Sequence, residues 1–390
     1  MYQSSPIYLV DGLRSGFGRL YGSLSDLRID DLGAQLLQGL WQRHRHLPPS
    51  ALDAFLIGCA NQSGEDARNL ARQVLLLAGG SPQTSCLSLN SLCTAGLEAV
   101  LQAARGIALG EWDLCIAGGL ENMSRSPWIV HRQTGEKADS TIGWRFVNPK
   151  LSLLYSPYSM AETVERLSQK LGIERQEQDQ YAFMSRERYL AAQAQGLFEA
   201  EIFPVLLANQ QYFSRDEQVR QIGLDSLSKL PASSQFGSRV SIGNSAKGGD
   251  GGGLLLLASE RAVQRWGLKP KARLRAWANV GLHPDDMGMG AAQAIQKLLQ
   301  QQGLSLGQFS SIELAESFAG QVLACCQALG LKPSQINRFG GGIAAGNPTA
   351  VGSLRPLIQL LHRSARAGDW ALLGAGAGLG LGLALWLEHT

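Results

Sequence analysis

Cys93 stands in the run SLNSLCTAGLEAV, after a strand-like segment and before a helix-like one with apolar residues at Leu97, Val100, Leu101 and Ala104. A thiol at that junction lies near a helix N-terminus, where unpaired N–H groups and the dipole favour the thiolate, the nucleophilic form. The other role open to Cys93 is that of a small buried hydrophobe, the usual state of cysteine in a folded chain. Cys59, Cys115, Cys325 and Cys326 are read that way. A second stretch with chemical character is GGGIAAGNPTAVGS, residues 340–353, with five glycines, no charge and one amide side chain, Asn347. Glycine at this density brings backbone close to something. Asn347 at the tip is a hydrogen-bonding group that does not exchange a proton at working pH.

The segments that would position these groups alternate in type. IYLVDG reads as a strand, DDLGAQLLQGLWQR as a helix, AFLIGCA as a strand and ARNLARQVLLLAGG as a helix. SCLSLN, TAGLEAVLQAARGIALG and DLCIAGG continue the series, which predicts a mainly parallel sheet covered by helices. From about Glu121 to Ser241 the pattern breaks: SRSPWIVHRQTGEKADSTIGWRFVNP is irregular, and ERQEQDQYAFMSRERYLAAQAQG reads as a charged surface helix. After Gly253 the alternation resumes with LLLLAS, ARLRAWANVG, AAQAIQKLLQQQG and SSIELAE, and ends on the glycine-bearing strand WALLGAGAGLGLGLALWLE. Two α/β parts of similar size predict a duplicated fold with an insertion, divided as 1–120, 121–250 and 251–390.

Composition narrows the function classes. The 390 residues are 45% hydrophobic and 17% charged, which favours large α/β cores over extended charged surfaces. Net charge is +3 with the basic residues scattered, so no nucleic-acid-binding stripe is expected. The six cysteines show no metal-type pairing, and no bound metal is expected. The longest apolar run, near 371–386, is broken by glycines and too short for a membrane span. No signal-peptide core is visible, and the expectation is a cytoplasmic enzyme with no membrane partner.

SLCTAGLEAV resembles the nucleophile segment of the thiolases, in which a cysteine at a strand–helix junction takes an acyl group from coenzyme A. The likeness runs over essentially the whole chain. GCANQSGEDARNLAR, GGLENMSRSPW and DSTIGWRFVNPKL resemble the branch that cleaves 3-oxoadipyl-CoA, and YSMAETVERL and SIGNSAKGGDGG fit the insertion and the coenzyme-binding loop. IELAESFAGQ, GGGIAAGNP and the terminal glycine strand match the three motifs that complete a thiolase site. The resemblance implies a layered αβαβα fold of two α/β halves with an inserted loop domain. It also implies a coenzyme A thioester as substrate, no permanently bound cofactor, and self-association as dimers or tetramers.

Carried over residue by residue, the likeness is uneven. The family's Asn-Glu pair, whose Asn holds a water on the thioester oxygen, falls on Ala315–Glu316. The histidine that activates the cysteine falls on Asn347. The acid/base cysteine of the last strand falls on Gly376, and the glycine whose N–H helps hold the oxyanion falls on Gly378. In the coenzyme loop Ser245 is followed by Ala246 where the family has a serine, and by Lys247 where it has glycine. Lys247 either meets a phosphate or points to water. Trp144 and Arg145 serve a substrate carboxylate or, alternatively, subunit packing. His131, in the inserted region, is a candidate to reach over the site or a solvated surface residue. Glu316 is read as orienting neighbouring backbone rather than as a catalytic group.

The acylation half of thiolase chemistry needs the cysteine and two N–H donors, which Cys93 and Gly378 retain. Loss of one such donor lowers rate by ~10²–10³. The carbon–carbon half needs a base, and each missing general acid/base is worth ~10²–10⁴. The expected activity is therefore transfer of an acyl group from coenzyme A or an acyl carrier protein to a non-carbon acceptor. The competing readings are a working 3-oxoadipyl-type thiolase with substitute groups and a catalytically silent binding subunit.

Overall fold

Runs of Leu, Ile, Val and Ala bounded by glycine form the strands of the computed structural model, which describes residues 5–138 and 146–390. The first half contains β1 (Ile7–Arg14), α1 (Ile29–Arg43), β2 (Ala54–Gly58), α2 (Leu70–Leu77), β3 (Ser85–Leu89), α3 (Ala95–Ala108) and β4 (Leu114–Asn122). An intervening region includes α4 (Met160–Leu171) and α5 (Arg175–Ala194). There follow β5 (Gly249–Ser259), β6 (Ala272–Gly281), α6 (Gly290–Gln302), β7 (Ser311–Leu314), α7 (Ala319–Leu329), α8 (Arg355–His362), β8 (Trp370–Ala377) and β9 (Leu381–His389).

The strand order is β7-β8-β9-β6-β1-β5-β4-β2-β3. Only β2–β3, β2–β4 and β7–β8 are parallel among these neighbours, so the sheet is mixed rather than mainly parallel. β5 pairs with both β1 and β4 and so closes the first set of strands. The boundary expected between residues 250 and 251 falls inside it. The two sets are hydrogen-bonded to each other where Ile7, Tyr8 and Leu9 face Leu274, Arg273 and Ala272.

Helices α1 and α2 pack on the outer face of the first set, and α6 and α7 on the outer face of the second. Between the sets lie α3 and α8, sharing one core: Leu97, Val100 and Leu101 meet Leu357, Ile358, Leu255, Leu383 and Leu385. These are the five αβαβα layers. Each fully buried Leu or Val side chain contributes roughly 1.5–3 kcal/mol relative to exposure, and their number along α3 fixes the helix whose first turn follows Cys93.

Two elements differ from their reading in the sequence. The terminal glycine run is a hairpin rather than one strand: Leu379 (φ +63°) and Gly380 (φ +79°) reverse the chain between β8 and β9. Helix α5 is charged but not superficial, because Tyr181, Ser185 and Tyr189, four residues apart, form a buried face under the 340–353 loop. Among the described residues no helix is long and apolar enough to cross a membrane.

Candidate active site

Cys93 lies in the single turn Leu92–Thr94 that joins β3 to α3. Leu92 adopts φ +56°, and the Asn90 side chain accepts a hydrogen bond from its N–H at 2.8 Å. This kink turns the sulfur toward the C-terminal hairpin, within electrostatic reach of the N–H groups of Gly378 and of Cys93 itself. The hairpin turn is held in place from behind: Leu282 N–H donates to the Gly380 carbonyl at 2.7 Å.

The helix terminus favours a thiolate, but burial dominates at Cys93. Desolvation pushes the thiol up, the two N–H groups pull it down, the Glu121 carboxylate pushes it up again, and the balance lies above the ordinary cysteine range.

The 340–353 loop is clamped to the start of α3. Ala350 carbonyl accepts from Gly96 N–H at 3.0 Å, and Ser353 Oγ donates to the Cys93 carbonyl at 2.6 Å. At its tip Gly346 takes φ +100°, and the N–H of Asn347 donates to the Lys247 carbonyl at 2.8 Å. The half-buried Asn347 side chain folds over Gly352, where a Cβ would stand only 1.6 Å from its Oδ1. Among the described residues its amide makes no side-chain hydrogen bond.

Glu316 is buried and surrounded by donors. Tyr181 Oη (2.7 Å), Ser185 Oγ (2.9 Å), Asn337 Nδ2 (3.0 Å) and the N–H of Ile343 (3.0 Å) all donate to its carboxylate. It ties β7, α5 and the glycine loop together. Ala315, just before it, bonds through its N–H to the Gly374 carbonyl at 2.9 Å and offers only a methyl group. Gly376, on β8, offers no side chain.

The Ser245–Lys247 segment joins the same assembly through its backbone. Ser245 bridges to Phe318, and Ala246 N–H donates to the Ser317 carbonyl at 2.9 Å. The Ser245 hydroxyl is engaged with the Ser241 carbonyl at 2.7 Å. Partial desolvation, then the charges of Arg220 and Arg186, hold the Lys247 ammonium below the usual lysine range.

His131 stays exposed in its own turn: Nδ1 accepts from Thr134 N–H at 3.3 Å, and the ring packs on Phe146. It touches none of the residues above. Trp144 and Arg145 lie outside the described residues. Sequence reasoning overlooked Ser353 and Glu121. The first belongs to a loop 260 residues from Cys93 and leaves no local signal. The second sits within GGLENMS, where a lone carboxylate on a buried strand was a visible anomaly.

The arrangement thus brings a thiol and two backbone N–H groups together. At positions 315, 347 and 376 it sets a methyl group, an amide and a bare backbone.

Comparison with known proteins gives a consistent set of relatives. The family model described as "Thiolase, N-terminal domain" matches residues 7–261, and "Thiolase, C-terminal domain" matches residues 268–389. The beta-ketoadipyl-CoA thiolase of Acinetobacter baylyi is 39% identical over 374 residues, 93% of each chain. The 3-oxoadipyl-CoA/3-oxo-5,6-dehydrosuberyl-CoA thiolase of Escherichia coli K12 is 38% identical over 94% of each. Among solved structures, the acetyl-CoA acetyltransferase of Bacillus anthracis superposes with a TM-score of 0.91 at 30% identity, covering both chains fully. Human mitochondrial 3-ketoacyl-CoA thiolase in complex with CoA gives 0.90 at 32% identity, covering 100% of this chain and 99% of its own.

Proposed function

The chain belongs to the thiolase family, and from that premise we propose that it is an acyltransferase that loads an acyl group on Cys93 and passes it to a non-carbon nucleophile. One observation carries this reading: the Cys93 sulfur keeps both backbone donors, whereas Ala315, Asn347 and Gly376 supply no proton-transfer group.

In the loading step the Cys93 sulfur forms a bond to the thioester carbonyl carbon, and the carbonyl electron pair moves to oxygen, within reach of the Gly378 and Cys93 N–H groups. Collapse breaks the bond to coenzyme A, which leaves as a thiol carrying the proton that Cys93 gives up. An oxygen, nitrogen or sulfur acceptor then takes the acyl group and returns a proton to Cys93. No enolate forms at any point, so neither step requires a base at 315, 347 or 376.

The donor is an acyl-CoA or acyl carrier protein, and Ser245, Ala246 and Lys247 border its binding groove. We also assign the protein to the cytoplasm and to a dimer or tetramer. The exposed outer strand β3, with Leu87 48% exposed, is the sheet edge a second copy would cover.

A second reading, a working 3-oxoadipyl-CoA-type thiolase with substitute groups, is favoured by the relatives at 38–39% identity that carry such names. Intact-mass analysis after mixing with short and dicarboxylic acyl-CoAs, with Cys93→Ala as control, tests the proposal. An adduct absent from the control supports it, and no adduct with any donor leaves a silent binding subunit. Thiolysis of 3-oxoacyl-CoA at a competent thiolase's rate would transfer the assignment to the second reading.

A further inference from the structure

The C-terminal hairpin carries glycine at five alternate positions, 374, 376, 378, 380 and 382, for different reasons. At Gly374 a Cβ would come within 2.7 Å of Ile295, at Gly380 within 2.3 Å of the Leu282 carbonyl, and at Gly382 within 2.1 Å of the Gly290 carbonyl. Those three are glycine because neighbouring chain already fills the space. Gly376 is not. Its nearest neighbours would be the Met287 carbonyl at 3.3 Å, the Ala291 nitrogen at 3.6 Å and the Leu381 carbonyl at 3.7 Å. Its φ is not positive, and it is partly exposed. Backbone conformation does not demand glycine there, and a Cβ needs the Met287 carbonyl to give by only a few tenths of an ångström.

That room lies beside the reacting sulfur. Gly378 is likewise open, with Leu92 near at 3.6 Å, and its N–H lowers the Cys93 thiol electrostatically. Gly376 is the penultimate residue of β8 and Gly378 opens the turn that follows it, about 6–7 Å along the chain. The nearest atoms are backbone atoms of Met287, Ala291 and Leu381, residues whose own side chains are apolar.

We propose that Gly376 opens a branch pocket next to Cys93, and that the protein's acyl donors are α-branched acyl-CoA thioesters. The inference rests on the acyl-transfer reading above. With the carbonyl oxygen on the Gly378 and Cys93 N–H groups, the adjacent carbon of the acyl chain lies toward β8. A methyl or ethyl branch on that carbon occupies the room that a side chain at 376 would take. Each buried methylene favours such a branch by about fourfold. Loading remains an exchange of one thioester for another: the Cys93 S–C bond forms, the coenzyme A C–S bond breaks, and the cysteine proton leaves with coenzyme A. No hydrogen on the branched carbon is touched, as suits a site with no base at 315, 347 or 376.

Rates of Cys93 acylation by butyryl-CoA and 2-methylbutyryl-CoA, read by intact mass, test the pocket in the wild type, Gly376→Ala and Gly376→Cys. The wild type is expected to take the branched donor at least as fast as the linear one. The branched-to-linear ratio should fall by about tenfold in Gly376→Cys and by less in Gly376→Ala. A wild type that prefers the linear donor by about tenfold, or a ratio unchanged by either substitution, overturns the proposal. If neither donor acylates Cys93, the transfer reading fails, and the pocket is decided by binding alone. Calorimetry with the thioethers S-butyl-CoA and S-(2-methylbutyl)-CoA then gives the affinity ratio: its loss in Gly376→Cys upholds the pocket, and an unchanged ratio removes it.

Discussion

At Cys93 two influences oppose each other: the Gly378 and Cys93 N–H groups stabilise a thiolate, while burial and Glu121 disfavour it. Because the second pair prevails, the thiolate fraction at neutral pH is small and grows with every unit of pH up to and past 9. Alkylation of Cys93 by iodoacetamide, followed by intact mass against Cys93→Ala, should therefore rise about tenfold per unit between pH 7 and 9 without a plateau. A plateau already reached at pH 7 would reveal a group that removes the proton, and with it a substitute for the missing histidine. The junction that presents Cys93 was legible because it is local, a strand signal running into a helix signal. The balance of charge and solvent at its sulfur was not, since it depends on Gly378 and Glu121, brought close only by the fold.

Helix α5 and strand β7 meet through Glu316. Replacing Glu316 with alanine leaves the Tyr181 and Ser185 hydroxyls, the Asn337 amide and the Ile343 N–H facing a site without an acceptor. The expected loss, read from urea unfolding, is about 2–4 kcal/mol, and Glu316→Gln, which keeps one acceptor oxygen, should lose less. A change below about 0.5 kcal/mol in Glu316→Ala would mean that these bonds are made elsewhere. The buried face of α5 was hidden in the sequence. Its members are Tyr and Ser rather than Leu and Val, and polar residues at helical spacing read as a solvated side. They are inside because carboxylates are there to receive them, Glu316 for Tyr181 and Ser185 and Asp216 for Tyr189.

The two halves of the molecule touch along a short β1–β6 pairing, and an ionic cluster reinforces the seam. Asp11 on β1 takes Lys271 Nζ at 2.6 Å and His44 Nε2 at 3.3 Å, with Arg43 at 3.5 Å, while His362 at the end of α8 bonds the Gly12 carbonyl at 2.6 Å. Burial opposes the Asp11 charge, but His44 and Lys271 outweigh it and hold the carboxyl well below its usual range. Burial, then the Lys271 charge, holds His362 below 6.5. Both folded-state values lie under the unfolded ones, so the stabilisation from Asp11 is complete above about pH 4 and that from His362 above about pH 6.5. Each is lost as pH falls through the folded value. Asp66, pushed up to about 7, and Asp250, pushed up to about 6, act in the opposite sense, so the His362 part is read as a difference: between pH 7 and 5 the urea midpoint of the wild type should fall relative to that of His362→Gln, and parallel curves would exclude His362 as a source. The division into two α/β halves was visible from the alternation of segments, but the order of strands was not. Strand β5 joins the first half by pairing with β1 and β4, strands distant in the chain.

The loop that carries Asn347 is fastened by main-chain bonds at Lys247 and Ala350 and by Ser353, none of which involves the side chain at 347. Its path does not depend on what that residue is. Descent can thus exchange the reagent at the tip while the mount stays fixed and the nucleophile remains in register.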